Sequence, residues 1–369
     1  MDVFHNLNFR IFSVSLVLSA FVCAVPLAQA ETVLDWQSCV DIAAANNANL
    51  RAATADWQST RSQEGVARSN LFPQLSASLG YTKNGTAGAA NGTPITQGYS
   101  ASLNGSQNIF NGLQDLGRIK QSRANSEASL QTQNSVRAQV SYDLKAAFEG
   151  VVYAKDYTAL TEQIIHRREE NFRLVSLRFQ SGRENKGSVL LSEAYLNQAR
   201  YDDLQARNAQ RVARAQLARA VGLDDFDLYD IQGSVPVSEP PSTPPEFKLI
   251  AQSTPAYRQA AAQEAASQAA ISIARSQFFP TLGVSGSISR FDDEFFPNAP
   301  NRWSTGVSLA FPFFTGGRDY YSTRAAMQSW SASENRRVNV SRQTVSTLEQ
   351  TFATYVEGVS KFKVDESFR

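Results

Sequence analysis

Two regions of the chain alternate strictly between apolar residues and small polar residues. In the first, Leu75, Ala77 and Leu79 are separated by serines, and the alternation returns after a loop rich in glycine, asparagine and threonine. The second region behaves in the same way. Because successive side chains of a strand point to opposite faces, this pattern is typical of strands with one apolar face and one hydroxyl face. The sequence therefore predicts two strand pairs, over residues 74–110 and 281–314.

The same helix-to-strand junction precedes both strand pairs. An alanine- and glutamine-rich run ends at Phe72-Pro73 in the first region and at Phe279-Pro280 in the second, 207 residues later. Proline ends a helix because it lacks an N–H and excludes the preceding residue from the α region. We therefore expect a duplicated protein, with a first repeat over 31–233, a proline-rich linker over 234–245 and a second repeat over 246–369.

A very long helical hairpin is predicted after the first strand pair. Residues 114–180 contain no proline, and their apolar residues recur at steps of four and three, which favours coiled-coil packing. At about 1.5 Å per residue, this helix would be roughly 100 Å long. A turn over 181–187 and a returning helix complete a hairpin over 114–221. The second repeat stops at Arg369, the counterpart of Ile165, so we expect a C-terminally truncated version of a longer protein.

Residues 1–30 are typical of a signal peptide, with Arg10, an apolar run and a small-residue site at Ala28-Gln29-Ala30. After its removal Cys39 is the remaining cysteine, which excludes an internal disulfide. The formal net charge of +1 implies no nucleic-acid partner. No later stretch approaches the ~18 apolar residues of a membrane helix. We therefore expect an exported protein that is either soluble or crosses a membrane as strands.

The two faces of the strands favour the membrane interpretation. The strands have about the ten residues that a tilted membrane strand needs, and aromatic residues gather at their ends, although such residues also pack in soluble cores. Four strands cannot close a barrel, and lipid does not tolerate open sheet edges, so several chains must contribute to one barrel. The hydroxyl face, expected to line a lumen, comprises Ser76, Ser78, Ser100, Ser102, Ser285, Ser287 and Ser308; the face expected to meet lipid includes Leu79, Leu103, Val284 and Leu309.

Candidate chemistry is sparse. His166 lies on a charged helix face, and with Cys39 it offers neither a zinc cluster nor a Cys/His pair. The segment 182–188 has the glycine spacing of a phosphate loop but lacks the lysine that should follow the second glycine. We expect no catalytic residue, cofactor or metal. The acidic residues 292–294 could tune cation passage or form a solvated loop. The hairpin tip, formed by Gly182, Arg183, Glu184, Lys186 and Gly187, is either a charged constriction or an exposed polar turn.

Several short motifs, in their order and duplication, resemble the TolC-like outer-membrane efflux protein family. They are the two Phe-Pro junctions, Ile109-Phe110-Asn111-Gly112, Phe313-Phe314-Thr315-Gly316-Gly317, and the segments 178–182 and 215–223. The resemblance implies a mixed, mostly helical fold: a homotrimer whose four strands per chain form a twelve-stranded outer-membrane β-barrel on a periplasmic α-barrel. It also implies the outer membrane of a Gram-negative bacterium and passive export, by efflux or type I secretion.

The resemblance further implies an exit duct docked to an inner-membrane pump through a periplasmic adaptor protein, which the hairpin tip would contact. Two departures bear on this role. The tip at Arg183–Gly187 is longer than usual in the family, and a second tip is absent from the sequence. The alternative is a periplasmic adaptor or coiled-coil scaffold without a pore, for which a long hairpin suffices but duplicated strand pairs are not needed.

Overall fold

The computed structural model describes residues 32–85, 96–224, 229–236, 239, 241, 243–295 and 300–368; the predicted signal peptide and part of the linker lie outside them. The fold is mostly helical with one four-stranded sheet and one two-stranded sheet. In chain order the elements are β1 (Thr32–Leu34), α1 (Trp36–Asn46), α2 (Ala48–Ser69), β2 (Gln74–Asn84), β3 (Thr96–Asn111), α3 (Gln114–Gln180), α4 (Lys186–Val221), β4 (Tyr229–Ile231), α5 (Phe247–Ser253), α6 (Pro255–Ser276), β5 (Thr281–Asp292), β6 (Arg302–Ala310) and α7 (Arg318–Ser367).

The helical run before each strand pair is divided in two. Asn47 has an extended ψ of 117° and caps α2 by accepting the Leu50 N–H at 3.1 Å. Thr254, also extended, caps α6 in the same way, with Pro255 in the first helical turn. The alanine- and glutamine-rich run that ends at Phe72-Pro73 predicts helix throughout residues 34–71. That prediction is wrong at two points: the helix is interrupted at Asn47, and Leu34 belongs to β1, which pairs in parallel with β4. These three-residue strands are too short to show an alternating pattern.

Both strand-to-helix junctions use left-handed backbone conformations. Gly112 and Leu113 have φ of 67° and 68°, and Gly316 and Gly317 have φ of 65° and 86°. A Cβ on Gly112 would lie 2.5 Å from the Ser276 carbonyl oxygen, so only glycine fits there. A buried carboxylate in the next helical turn accepts a side-chain hydrogen bond from the junction in each repeat. The pairs are Asn111 with Asp115 and Thr315 with Asp319.

The strands and the helices that continue them have the same lateral order. The sheet is antiparallel, in the order β2-β3-β5-β6. Helix α2 packs against α3, α3 against α6 and α6 against α7. Since α2 leads into β2, β3 into α3, α6 into β5 and β6 into α7, the sheet and the helices form one continuous wall. Its two lateral edges are β2 with α2 and β6 with α7.

The hydrophobic core lies where α1, α3, α4, β1 and β4 meet. Phe148 is fully buried there, and its ring meets Trp36 edge-to-face at 5.6 Å. Burial also raises the pKa of the Cys39 thiol to about 11, with Asp35 adding to the effect. The apolar residues of α3 that recur at steps of four and three form a narrow seam, which is confirmed at Leu144, Val151 and Ala154, all of them buried. Within the described ranges, no helix combines the length and apolar character required to cross a bilayer.

Candidate functional site

The register of the sheet places all the predicted hydroxyl-face serines on one side. Ser78 is paired with Ser102, which is paired with Ser289, and neighbouring rows repeat the arrangement. Hydroxyls of adjacent strands also bond to each other: the oxygens of Ser78 and Ser102 are 2.7 Å apart, and those of Ser287 and Ser304 are 2.8 Å apart. Asn104, Ser106 and Ser304 extend this surface. The result is a polar face built almost entirely from small uncharged side chains.

The opposite face is apolar and uncovered. Leu79, Leu103, Val284 and Leu309 all lie on it, as the alternation predicts. Leu79 is 82% exposed and Leu309 69% exposed. Monomeric soluble proteins rarely leave a continuous apolar surface of this kind open to water. The face is completed by Leu75, Ile288, Trp303 and Val307.

Both lateral edges of the four-stranded sheet are open. Strand β2 pairs only with β3, and β6 pairs only with β5, among the described residues. An open edge presents unpaired backbone N–H and C=O groups, which favour pairing with another strand. In a hydrocarbon layer each unsatisfied group costs several kcal/mol (~2–7). The geometry therefore requires further strands if this sheet enters a bilayer.

Aromatic side chains gather at both ends of the apolar face. At the end remote from the helices, Tyr81 and Tyr99 have ring centroids 4.9 Å apart, and Tyr99 meets Phe295 at 5.6 Å. At the end next to the helices, a register shift near Ile109 brings Phe110 opposite Leu282, on the apolar face. Sequence alternation alone does not show this shift, because the bulge adds one residue to β3 and reverses the facing of the residues after it.

The strand register assigns three further residues to faces at the remote end of the sheet. Phe291 belongs to the hydroxyl face, opposite Ser100, where it covers Gly98, so it is not part of the aromatic cluster on the apolar face. Asp292 lies on the apolar face, opposite Tyr99. Arg302, which the alternating pattern does not single out, lies on the hydroxyl face opposite Ser289. Since Arg302 comes two residues before Ser304, alternation would put it on the hydroxyl face, but only the structure shows that β6 begins at this residue.

The hairpin tip is an exposed turn ordered by its own backbone. Gly182 has a φ of 75°, and the Arg183 N–H donates to the Arg178 carbonyl at 2.9 Å, a Schellman arrangement that ends α3. Glu184 accepts from the Ser188 hydroxyl at 2.8 Å. The predicted turn over residues 181–187, which uses Gly187 to break the helix, is wrong at its end: α4 begins at Lys186, and Gly187 lies in its first turn.

A polar cluster joins the two helices of the hairpin. Arg207 donates to Asp203 at 2.7 Å on its own helix and to Glu162 at 2.6 Å on α3. Thr161, which is buried, donates to the other Asp203 oxygen at 3.0 Å. The hydrogen bond from Arg207, with that from Thr161, lowers the pKa of the Asp203 carboxyl. Two of these hydrogen bonds, from Thr161 to Asp203 and from Arg207 to Glu162, link α3 to α4.

The described residues form no site around His166, no metal site and no phosphate loop. His166 is exposed and lies 3.6 Å from Glu170 on the same helix. Within the described ranges, no group of three or more histidine, cysteine or acidic residues could hold a metal ion. The glycine segment at 182–188 is a helix-to-helix turn rather than a strand-to-helix loop.

The chain matches known proteins along most of its length. The family described as outer membrane efflux protein matches residues 39–223 and 247–356. A probable outer membrane lipoprotein, SilC of Salmonella typhimurium, is 25% identical over 76% of this chain, and outer membrane protein OprJ of Pseudomonas aeruginosa is 26% identical over 78%. The chain spans 61% and 64% of the lengths of these relatives.

The fold also matches that of a solved outer membrane channel. The CmeC channel of Campylobacter jejuni superimposes with a TM-score of 0.75 at 17% identity, covering 89% of this chain and 72% of that one. At this identity the similarity concerns the fold, which is mostly helical with a four-stranded sheet.

Proposed function

The chain belongs to the outer membrane efflux protein family, and we propose that it is a subunit of an outer-membrane exit duct of a Gram-negative bacterium. The observation that carries this proposal is the sheet: it has one exposed apolar face, one hydroxyl face and two open edges. Lipid against the first face and water against the second would satisfy both surfaces. A periplasmic adaptor or scaffold without a pore would have no use for this exposed apolar surface.

The open edges support assembly into a homotrimer. Pairing β2 of one copy with β6 of the next would satisfy the backbone groups at both edges, and three copies would supply twelve strands. Because α2 and α7 lie at the same edges as β2 and β6, the same contact would continue the wall into an α-helical tube. That tube, rather than a soluble core, would occupy the periplasm.

Conduction through this duct is passive in our proposal. The hydroxyls of Ser76, Ser78, Ser100, Ser102, Ser285, Ser287 and Ser308 would line a water-filled lumen, while Leu79, Leu103, Val284 and Leu309 would face lipid. No step of bond making or breaking is required, and no cofactor. Small uncharged side chains would keep the lumen hydrated without binding cargo tightly. Such a lumen suits transport of either small molecules or an unfolded polypeptide.

The exposed hairpin tip is the proposed contact for a periplasmic adaptor that connects the duct to an inner-membrane pump. Gly182, Arg183, Glu184, Lys186 and Gly187 lie at the end of the hairpin formed by α3 and α4, far along the chain from the sheet. The Schellman turn and the cap at Asn185, which accepts the Ser188 N–H at 2.9 Å, give this tip a defined shape. A fixed shape lowers the entropy lost on binding.

Cysteine labelling of adjacent residues tests the proposal. Ser78→Cys and Leu79→Cys differ by one position but lie on opposite faces, as do Ser308→Cys and Leu309→Cys. In outer-membrane vesicles a water-soluble thiol reagent should label the serine positions and a lipid-phase reagent the leucine positions. Cys39 provides a low background because it is buried and its raised pKa disfavours the reactive thiolate. Equal labelling within each pair, or recovery of the protein in the soluble periplasmic fraction, would exclude the duct.

A further inference from the structure

The hydroxyl face carries one formal charge among the described strand residues, that of Arg302. According to the strand register, all the remaining positions on this face are serine, threonine, asparagine, glutamine, glycine, alanine or phenylalanine. The remaining charged strand residues, Lys83, Arg290 and Asp292, lie on the apolar face. An isolated charge on an otherwise neutral polar surface has a long-range effect because nothing nearby cancels it.

Arg302 lies inside the outer rim of the sheet rather than at its tip. Its partner on β5 is Ser289, and β5 continues for three more residues, to Asp292. At roughly 3.3 Å per residue this is about 10 Å of strand beyond the Arg302 level. The same row continues through Ser102 to Ser78. Arg302 is therefore a strand residue of the hydroxyl face and not a loop residue.

The charge of Arg302 is not neutralised by a carboxylate among the described residues, since no ion pair or hydrogen bond of its side chain is present there. Arg290 provides a contrast on the other face, where its Nε–H donates to the Asn301 side chain at 2.8 Å. Asp292 is also on that other face, and Asp293 and Glu294 follow the end of β5. Asp292 thus lies on the apolar face, and Asp293 and Glu294 lie beyond the end of β5. Among the described strand residues, Arg302 is the charge on the hydroxyl face.

We propose that Arg302 is a selectivity-determining residue that gives the duct a preference for anions at its outer end. This inference rests on the proposed function, because three copies of the chain would place three Arg302 guanidinium groups around one lumen. A ring of like charges raises the local concentration of counter-ions and excludes ions of the same sign. The cargo class favoured at this level is therefore anionic, and the acidic residues 292–294 do not set the selectivity.

Reversal potentials of the full-length assembly in planar bilayers test this assignment. A KCl gradient that begins near 0.01 M makes the Debye length roughly 30 Å, so charges on the wall act across a wide lumen. We expect chloride preference in the wild type, and Arg302→Gln should lower the ratio of chloride to potassium permeability by about twofold or more. Arg302→Lys should retain the ratio and Arg302→Glu should reverse the preference. Arg290→Gln is the matched control, because it removes the same charge one register step away on the apolar face.

Chemical modification separates selectivity from folding. Channels of Arg302→Cys can be recorded before and after a cationic thiol reagent, which should restore anion preference, and an anionic reagent, which should invert it. The inference is overturned if the channels form but neither reagent moves the reversal potential, or if Arg290→Gln shifts it as far as Arg302→Gln. If the wild type forms no channels at all, the proposed duct and the inference are rejected together, whereas a normal conductance with unaltered selectivity rejects the inference alone.

Discussion

At the scale of single residues, glycine is required where the end of α4 packs against the backbone between α1 and α2. Gly222 follows α4 with a φ of 85°, and a Cβ there would lie 2.7 Å from the carbonyl carbon and oxygen of Asn46. Asn47, next along the chain, donates its side-chain N–H to the Ala220 carbonyl at 2.8 Å. The backbone of the α1–α2 break thus lies directly against the end of α4, beside the hydrophobic core.

We predict that Gly222→Ala destabilises this region by about 2–5 kcal/mol, since it adds a left-handed penalty of about 1–2 kcal/mol to an overlap costing about 1–3 kcal/mol. Gly182→Ala is the control: Gly182 has a similar φ of 75°, but nothing lies within 4 Å of its missing Cβ. It should cost only the left-handed penalty. Amide hydrogen exchange in α1 and α4 measures the difference, and equal effects of the two substitutions would show that the close approach is unimportant.

At the scale of elements, the α3–α4 hairpin depends on polar contacts as well as on its apolar seam. Arg207 bridges Asp203 and Glu162, and Arg200 pairs with Glu169 at 3.0 Å. Much of the hairpin is exposed, so each such pair contributes little by itself. Asp203 differs from the others because its side chain is only 13% exposed and also accepts from buried Thr161.

Asp203→Asn should loosen the hairpin at neutral pH, and the effect should vanish in acid. The pKa of Asp203 is lower in the folded protein than in the unfolded chain, so its stabilisation is complete above the unfolded pKa of about 4 and is lost as pH falls through the folded value. Hydrogen exchange of α3 and α4, compared between variant and wild type at each pH, should therefore converge once the pH falls below the lowered pKa of Asp203 in the folded protein. Asp202→Asn is the control, since Asp202 accepts from Gln198 on its own helix. A difference between Asp203→Asn and wild type that persists in acid contradicts the assignment.

Sequence patterns predict the main helices and strands but not the helix break and the strand bulge that interrupt them. The strands at 74–84 and 281–292 and the long helix at 114–180 follow from periodicity maintained over many residues. The break at Asn47 was missed because an asparagine among alanines has no periodic signature. The bulge near Ile109 depends on pairing between strands distant in sequence, and so does the start of β6, which makes Arg302 a strand residue. A pattern within one element could not supply the register between elements.

At the scale of the whole molecule, one lateral order governs both the sheet and the helices. Strands β2, β3, β5 and β6 and helices α2, α3, α6 and α7 follow one another across the wall. A contact between copies at these edges would therefore continue from the sheet into the helices. The apolar face of the sheet is exposed in the single chain, so in the proposed duct its surroundings are set by assembly and not by the packing of one chain.

A charge at the middle of the apolar face should consequently impair membrane assembly, whereas the same charge on the hydroxyl face should not. Leu79 is the sixth residue of the eleven-residue strand β2 and is 82% exposed, and its neighbour Ser78 points to the other face. Leu79→Arg should cost about 2–4 kcal/mol per chain in a bilayer, as expected near the midplane. In the proposed trimer this cost is repeated in three copies, so it should deplete the oligomer in outer-membrane fractions, as seen by native gel electrophoresis. Ser78→Arg adds the same side chain facing water and should assemble normally; depletion of both variants to the same extent would show that the two faces do not differ in environment.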